Sequence, residues 1–218
     1  MDCTGTTRSS KAGVIQLGLL AALVTIGAIC YLAATHESFP GDEEALLRFQ
    51  EFRGDGLDTV AIVVTATAQT WVAIVSILGL SFIFRMVGRR ADALVTFSIL
   101  VFEALNLGLK ELVGRPRPPY SILESPPVNP SFPSGHAFHA ILLFGFLLIV
   151  LVGEEVKNPR LRRTLQGLLV FMILACGASR VYLGVHWPSD VLAGYLLGGF
   201  VLLFLVWLRK MLITRGLQ

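Results

Sequence analysis

Long apolar stretches alternate along the chain with short polar segments, which is the pattern of a membrane protein. Six of these stretches approach or exceed the roughly 20 helical residues needed to cross a hydrocarbon layer. The sequence therefore predicts an all-α fold, a six-span transmembrane helical bundle, with residues 1–218 as a single domain. The predicted spans cover residues 12–35, 59–84, 91–109, 135–153, 165–183 and 191–208.

The first stretch has two interpretations. Arg8 and Lys11 precede it, as basic residues precede the core of a signal peptide. Its uncharged run over 12–35 is longer than the apolar core of a signal peptide, which is about 7–15 residues. No convincing small-x-small cleavage site follows it. We expect an uncleaved span.

Between the first two spans the apolar residues change to helical spacing. Asp42 is placed to cap such a helix, acidic residues fill its first turn, and Gly54 follows its last. The pattern predicts a short amphipathic helix in the outer interface. An ordinary surface helix and a substrate-gating helix both fit. The apolar positions are Ala45, Leu46, Phe49 and Phe52.

Composition supports membrane insertion. The chain is 54% hydrophobic and 15% charged, whereas a soluble domain carries about 25% charged residues. Cys3, Cys30 and Cys176 are an odd number, and we expect small apolar packing from them instead of disulfides. No cluster has metal-ligand spacing, so we expect no metal and no cofactor.

Basic residues predict the orientation. With the N-terminus inside, twelve of the 18 lysines and arginines fall in inner segments. This asymmetry satisfies the positive-inside rule. It predicts cytoplasmic N- and C-termini. The other six fall in outer segments, and three of them belong to the motifs described next.

Three short motifs carry the candidate chemistry, and the predicted topology brings all of them to the outer face. Phosphoryl transfer requires charge at the non-bridging oxygens, an in-line nucleophile and a proton for the leaving oxygen. The motifs provide three cations, two imidazoles and a carboxylate. They are Lys110 with Arg117-Pro118, Pro133-Ser134-Gly135-His136, and Ser179-Arg180 with His186 and Asp190.

The cations and the second motif form a candidate phosphate site. Lys110, Arg117 and Arg180 offer three positive charges to a phosphate dianion. Ser134 is a natural N-cap, and the amides that follow it would form an anion site at a helix N-terminus. Gly135 lets phosphate approach the backbone. His136 is the candidate general acid.

His186 and Asp190 are a candidate nucleophile and its orienting carboxylate. Asp190 can hold one imidazole nitrogen and leave the other free to attack phosphorus. Cations disfavour protonated His186, whereas Asp190 favours it, and the sequence does not decide between them. A structural pair is the alternative.

Glu103 is a deeper candidate in the third span. It shares one helical face with Asn106 and Lys110. It is either a second-shell partner of the site or an acid that holds helices together, and we favour the latter. His139 has no motif role, and we expect it to pack against a neighbouring helix.

The order and spacing of the motifs resemble the type 2 phosphatidic acid phosphatase (PAP2) superfamily, which includes membrane lipid phosphatases and vanadium haloperoxidases. The resemblance implies that His186 becomes phosphorylated, that Asp190 supports it and that His136 protonates the leaving group. It also implies phosphate binding by Lys110, Arg117, Ser134, Gly135 and Arg180. All these positions are filled as the family pattern requires.

The expected function is metal-independent hydrolysis of lipid phosphate or diphosphate monoesters at the outer membrane face. The small six-span design resembles bacterial phosphatidylglycerophosphate and undecaprenyl diphosphate phosphatases, and this resemblance implies a bacterial plasma (inner) membrane. A lipid phosphotransferase would use the same residues. A haloperoxidase would be soluble and larger, and a transporter would carry polar residues deeper across several spans. We expect a lipid phosphate and the membrane as partners, with no nucleic acid and no obligate protein.

Overall fold

The computed structural model describes residues 18, 20, 24–122 and 127–217, so part of the predicted first span lies outside the described residues. The described chain is helical and contains no strand. Its helices are α1 (Val24–Thr35), α2 (Asp42–Gln50), α3 (Asp55–Ala66), α4 (Thr70–Met86), α5 (Arg90–Val113), α6 (Gly135–Glu155), α7 (Pro159–Tyr182) and α8 (Pro188–Thr214).

Four helices, α5 to α8, are long and apolar enough to cross a membrane. They correspond to the predicted spans at 91–109, 135–153, 165–183 and 191–208. Gly114 ends α5 in the left-handed conformation, with φ of 66°, as glycine permits. The predicted all-α membrane fold is confirmed for these four elements.

The predicted span at 59–84 is two helices instead of one. The chain bends by 49° between α3 and α4. If these two helices are counted as one bent span, the described residues contain five candidate membrane spans. The helix stops because Gln69 has extended backbone, with ψ of 146°. The Thr67 hydroxyl also donates to the Val64 carbonyl at 2.7 Å, a side-chain bond that favours helix ends.

Helix α6 is the central helix of the bundle. In its most apolar 18-residue stretch, 56% of the residues are buried, compared with 33% in the corresponding stretches of α5, α7 and α8. Phe138, Leu142 and Phe146 of α6 share a core with residues of α4, α5 and α8. The first turn of α6, which carries the second motif, is therefore held by packing on several sides.

Two glycines let α8 approach the start of α6 closely. A Cβ atom on Gly194 would lie 2.6 Å from the carbonyl oxygen of Ser134. A Cβ atom on Gly198 would lie 3.0 Å from the carbonyl oxygen of Phe138. Along the same contact, the Ser134 amide donates to the Asp190 carbonyl at 3.0 Å. The second and third motifs are thus joined through backbone.

Helix α2 is present where the amphipathic pattern predicts it. Leu46 is fully buried against Ala137, Val181 and Trp187, whereas Phe49 is exposed. The prediction that Asp42 caps this helix is wrong, because Gly41 occupies the N-cap position and Asp42 is the first helical residue. The Asp42 carboxylate is instead engaged with buried groups of the site.

The opposite end of the bundle carries its own charge network. Arg209 of α8 binds the Glu154 carboxylate with two hydrogen bonds of 2.8 Å and also bonds to Asp92 of α5. Arg89 donates to Asp92 at 2.5 Å and to Glu155 at 3.1 Å. These bonds fasten α5, α6 and α8 together far from the motifs.

Candidate active site

Lys110 lies one turn before the end of α5 and is buried. Its ammonium donates to the carbonyl oxygens of Pro130 and Ser131 at 3.0 and 3.1 Å. These carbonyls belong to the proline-rich loop that leads into α6. The loop therefore fixes the position of the charge, and the side chain still lines the central cavity.

Arg117 connects the same loop to the turn that carries His186. Its Nε and Nη2 atoms donate to the Asn129 carbonyl and amide oxygens, both at 2.9 Å. Its Nη1 atom donates to the Val185 carbonyl at 2.6 Å and lies 3.3 Å from Nε2 of His186. The guanidinium is thus placed directly beside the candidate nucleophilic atom.

The start of α6 adopts the predicted cap. Ser134 is the N-cap residue, and its hydroxyl accepts from the Ala137 amide at 3.5 Å. Gly135 and His136 line the cavity, whereas Ser134 is fully buried and does not line it. The Nε2 atom of His136 has no hydrogen-bond partner among the described residues, which leaves it available to a ligand.

Arg180 approaches the cavity from the last turn of α7. Its Nη1 atom donates to the Thr65 hydroxyl of α3 at 2.5 Å. That bond joins α3 to α7 just before the break between α3 and α4.

His186 and Asp190 face each other across the first turn of α8. Nδ1 of His186 lies 3.4 Å from Oδ2 of Asp190. The same oxygen accepts from the Trp187 amide at 2.9 Å. Nδ1 makes no hydrogen bond among the described residues, but the carboxylate that faces it favours a proton there, which leaves the lone pair on Nε2 toward Arg117. This is the tautomer that a nucleophile requires.

The charge of His186 is set by its surroundings. Burial, followed by the positive charges of Lys110, Arg117 and Arg180, lowers the pKa of this imidazole well below 6.5. The sequence did not decide between these cations and Asp190, whose negative charge would raise the pKa of His186. In the structure the lowering effects dominate. His186 is therefore neutral at neutral pH, the form that a nucleophilic role would require.

One cavity of about 390 Å³ brings the predicted groups together. The six motif residues that line it are Lys110, Arg117, Gly135, His136, Arg180 and His186. Apolar residues of α4 and α5 line its other part, including Ala73, Ile77, Leu100 and Leu107. The cavity therefore joins a cationic end to a hydrocarbon-like wall.

Arg115 is a site residue that the sequence did not single out. It is buried, and its Nη1 atom donates to Oδ1 of Asp190 at 2.6 Å. Its Nη2 atom donates to Asp42 at 3.0 Å. Asp42 also accepts from the Ser189 amide and hydroxyl at 2.9 and 2.6 Å. The only sequence signal was the Arg-Pro pair that Arg115 forms with Pro116, immediately before the motif.

Glu103 lies deeper in the cavity, where Nδ1 of His139 is 3.0 Å from its carboxylate. This bond joins α5 to α6, so the interhelical role favoured for Glu103 is present. Both residues also line the cavity. Within the described part of the chain, no three His, Cys, Asp or Glu residues form a group that fits a metal ion.

Comparison with known proteins decides the family. The sequence model of the PAP2 superfamily matches residues 93–213, which include all three motifs. The chain belongs to the PAP2 superfamily. The solved structure of a transmembrane PAP2-type phosphatidylglycerolphosphate phosphatase from Bacillus subtilis superposes with a TM-score of 0.70 at 23% identity. The superposition covers 86% of this chain and 96% of that one, which shows a shared PAP2 fold.

Curated PAP2 relatives align with about half of the chain. Phosphatidylglycerophosphatase B of Bacillus subtilis (strain 168) is 38% identical over 116 residues, 50% of this chain and 54% of the relative. An undecaprenyl-diphosphatase of Sulfolobus acidocaldarius is 32% identical over 118 residues, 52% of each chain. The alignments thus span about half the length of these relatives.

Proposed function

We propose that this chain is a multi-pass membrane phosphatase that hydrolyses lipid phosphate or diphosphate monoesters through a phosphohistidine intermediate. The observation that carries the proposal is the cavity, which has three cations and two imidazoles at one end and an apolar wall at the other. That combination fits a ligand with an anionic head and a hydrocarbon tail. The names of the PAP2 relatives, which are phosphatases of lipid phosphates, support it.

In the proposed first step, Lys110, Arg117 and Arg180 hold the non-bridging oxygens of the ester. Nε2 of His186 attacks phosphorus, a nitrogen–phosphorus bond forms, and the bond from phosphorus to the alcohol oxygen breaks. His136 gives its proton to that oxygen. The Nδ1 proton of His186 remains on the side of Asp190, which stabilises the positive charge of the phosphorylated ring.

In the second step, water replaces the departed alcohol. Neutral His136 takes a proton from this water, whose oxygen attacks phosphorus as the nitrogen–phosphorus bond breaks. Inorganic phosphate leaves, and both imidazoles return to their starting state. Residues of the chain and one water molecule supply every proton, and three basic side chains supply the positive charge. Because no step uses a metal ion, we expect a chelator to leave the rate unchanged.

The proposed setting is a bacterial plasma membrane crossed six times by a single domain, with both termini cytoplasmic and the site on the extracytoplasmic side. The distribution of basic residues supports this orientation. The exposed side chains of Leu47, Phe49 and Phe52 support a place for α2 in the outer interface.

The test is phosphate release by the full chain in detergent with four donors: phosphatidate, phosphatidylglycerophosphate, undecaprenyl diphosphate and lipid A. His186→Ala should lower the rate on every accepted donor by about 10³-fold or more, because it removes the nucleophile. His36→Ala is the matched control, since His36 is exposed and outside the cavity. Full activity in His186→Ala would contradict the proposal.

A further inference from the structure

The cavity contains polar groups that the proposed reaction does not use. Glu103, Asn106 and His139 line it, although none of them belongs to a motif. Apart from Thr70 and Lys110, the other cavity-lining residues of α4 and α5 are apolar. A cavity that held only a hydrocarbon tail below the phosphate would have no need for buried polar side chains there, because each one costs free energy unless it is hydrogen-bonded.

Two of these groups have unused acceptors. Asn106 and His139 are more than nine-tenths buried, and their Oδ1 and Nε2 atoms have no hydrogen-bond partner among the described residues. Because Nδ1 of His139 meets the Glu103 carboxylate at 3.0 Å, Nδ1 carries the proton and Nε2 is an acceptor. The Glu103 carboxylate is itself 23% exposed. The cluster thus offers two unpaired acceptors, Oδ1 of Asn106 and Nε2 of His139, to a hydroxyl donor.

The depth of the cluster matches the part of a substrate next to the phosphate. Asn106 and Glu103 lie roughly 6 and 10 Å below Lys110 along α5, from the helical rise. His139 lies about 4.5 Å below His136 along α6 by the same measure. Leu100 lies deeper still. From the outer end inward, the cavity therefore presents cations, then hydrogen-bond acceptors, then an apolar wall.

We propose that Glu103, Asn106 and His139 form a subsite for a free hydroxyl group on the alcohol that carries the scissile phosphate. The inference rests on the proposed function and deepens it. It assigns the preferred substrates to phosphate esters of glycerol-like alcohols, in which a hydroxyl is next to the ester carbon. Polyprenyl phosphates and diphosphates, whose alcohols carry no such hydroxyl, leave the acceptors of Asn106 and His139 unpaired.

The test compares two lipid monophosphates with matched chains: oleoyl lysophosphatidate, which has a free hydroxyl, and oleyl phosphate, which has none. The full chain in mixed micelles should show a kcat/KM about tenfold or more higher for lysophosphatidate, because a site built to bind a hydroxyl rejects the analogue that lacks it. Equal values for the two lipids would overturn the subsite.

Glu103→Gln is the decisive variant. The glutamine oxygen can still accept from His139, so the bond between α5 and α6 is kept, while the second oxygen becomes an NH₂ donor. The lysophosphatidate preference should fall about tenfold, with oleyl phosphate hydrolysis changed by no more than about twofold. Equal losses on both lipids would mean that Glu103 is only structural and would overturn the proposal.

Two controls keep the test independent of folding and of the proposed function. Asn106→Leu removes an acceptor without touching the Glu103–His139 bond, and it should reduce the same preference. Glu154→Gln alters another interhelical acid, paired with Arg209 and outside the cavity, and should leave the preference unchanged. If neither lipid is hydrolysed, the subsite is overturned, and the assay with the four donors decides separately whether the proposed function also fails. If both lipids are hydrolysed in a His186-dependent reaction but at equal kcat/KM, only the subsite is overturned.

Discussion

The imidazole of His186 has two opposing neighbours, and its reactivity depends on which one dominates. Asp190 faces Nδ1, while Arg117 lies 3.3 Å from Nε2. A cation beside the attacking nitrogen keeps that nitrogen unprotonated, and the carboxylate keeps the tautomer fixed. When a phosphate dianion enters, its negative charge offsets the cations around the ring.

The acidic limb of the pH profile should therefore lie below pH 6.5. Neutral His186 is the active form, and its lowered pKa keeps it neutral as the pH falls through the usual histidine range. The measurement is kcat/KM against pH for a short-chain phosphate ester, since this ratio reports the free enzyme. A limb at or above pH 6.5 would contradict the assignment.

Lys110→Met provides the matched check on that interpretation. Removing this positive charge should raise the pKa of His186, because Lys110 is the largest of the charges that lower it. The acidic limb of the residual activity should then move to higher pH. A limb that stays in place would mean that another group controls it.

Arg115 supports the site without entering the cavity, since it is buried between two carboxylates. Arg115→Met should destabilise the protein by about 3–5 kcal/mol, because Asp42 and Asp190 are left buried without their partner. Thermal unfolding in detergent measures the loss. Arg48→Met is the control: its ion pair with Glu44 is exposed and worth about 0–1 kcal/mol.

Adding Asp42→Asn to Arg115→Met should recover part of that loss. The double variant leaves only Asp190 as a buried carboxylate without its arginine partner, whereas Arg115→Met leaves two. Its unfolding temperature should therefore exceed that of Arg115→Met alone. Losses that simply add would show that Asp42 and Arg115 act independently, contrary to their 3.0 Å contact.

At the scale of the elements, the contact between α6 and α8 sets the geometry of the site. Gly194→Ala would force a Cβ atom to within 2.6 Å of the Ser134 carbonyl oxygen and so displace the turn that carries Gly135 and His136. We expect a destabilisation of about 1–3 kcal/mol. We also expect kcat to fall by a larger factor than any change in KM.

Gly199→Ala is the matched control on the same helix. A Cβ atom there has nothing within 4 Å, and alanine favours a helix over glycine by about 1 kcal/mol. This variant should be as stable as the parent or more so, with unchanged phosphate release. If both glycine variants behave alike, the close α6–α8 contact does not govern the site.

The sequence predicted the elements better than it predicted the contacts. Apolar runs identified α5 to α8, and Ser134 marked the start of α6, because these signals are local. The break between Ala66 and Thr70 was missed, because the polar residues there are uncharged and did not end the predicted span, and hydropathy does not reveal the extended backbone of Gln69. The Arg115–Asp42 contact was missed because its partners are 73 residues apart and neither belongs to a motif.

The same distinction applies to the site. The three motifs could be assigned to one face because helix direction follows from counting basic residues. The Glu103–His139 bond could not be predicted, because it depends on the rotation of α5 against α6, which periodicity alone does not fix. The charge of His186 also required the positions of three cations from different elements.

At the scale of the whole molecule, the two ends of the bundle have different roles. The Arg209–Asp92–Glu154 network fastens one end, and the cavity opens at the other. The proposed orientation, which rests on the distribution of basic residues, puts the cavity on the extracytoplasmic side and the network on the cytoplasmic side.

Labelling in intact cells tests that orientation. With Cys3, Cys30 and Cys176 replaced by serine, a cysteine at Val128 should react with a membrane-impermeant maleimide, since this loop residue is fully exposed. A cysteine at Arg163, near the start of α7, should react only after the membrane is opened. The reverse pattern would place the site on the cytoplasmic side.

The most direct test of the account is to trap the phosphoryl group on the enzyme. Brief reaction with a lipid donor radiolabelled at its terminal phosphate, followed by an alkaline detergent quench and peptide mapping, should place the label on His186. The label should be lost in His186→Ala and retained in His36→Ala. Turnover without label at His186, or with label on another residue, would contradict the central claim.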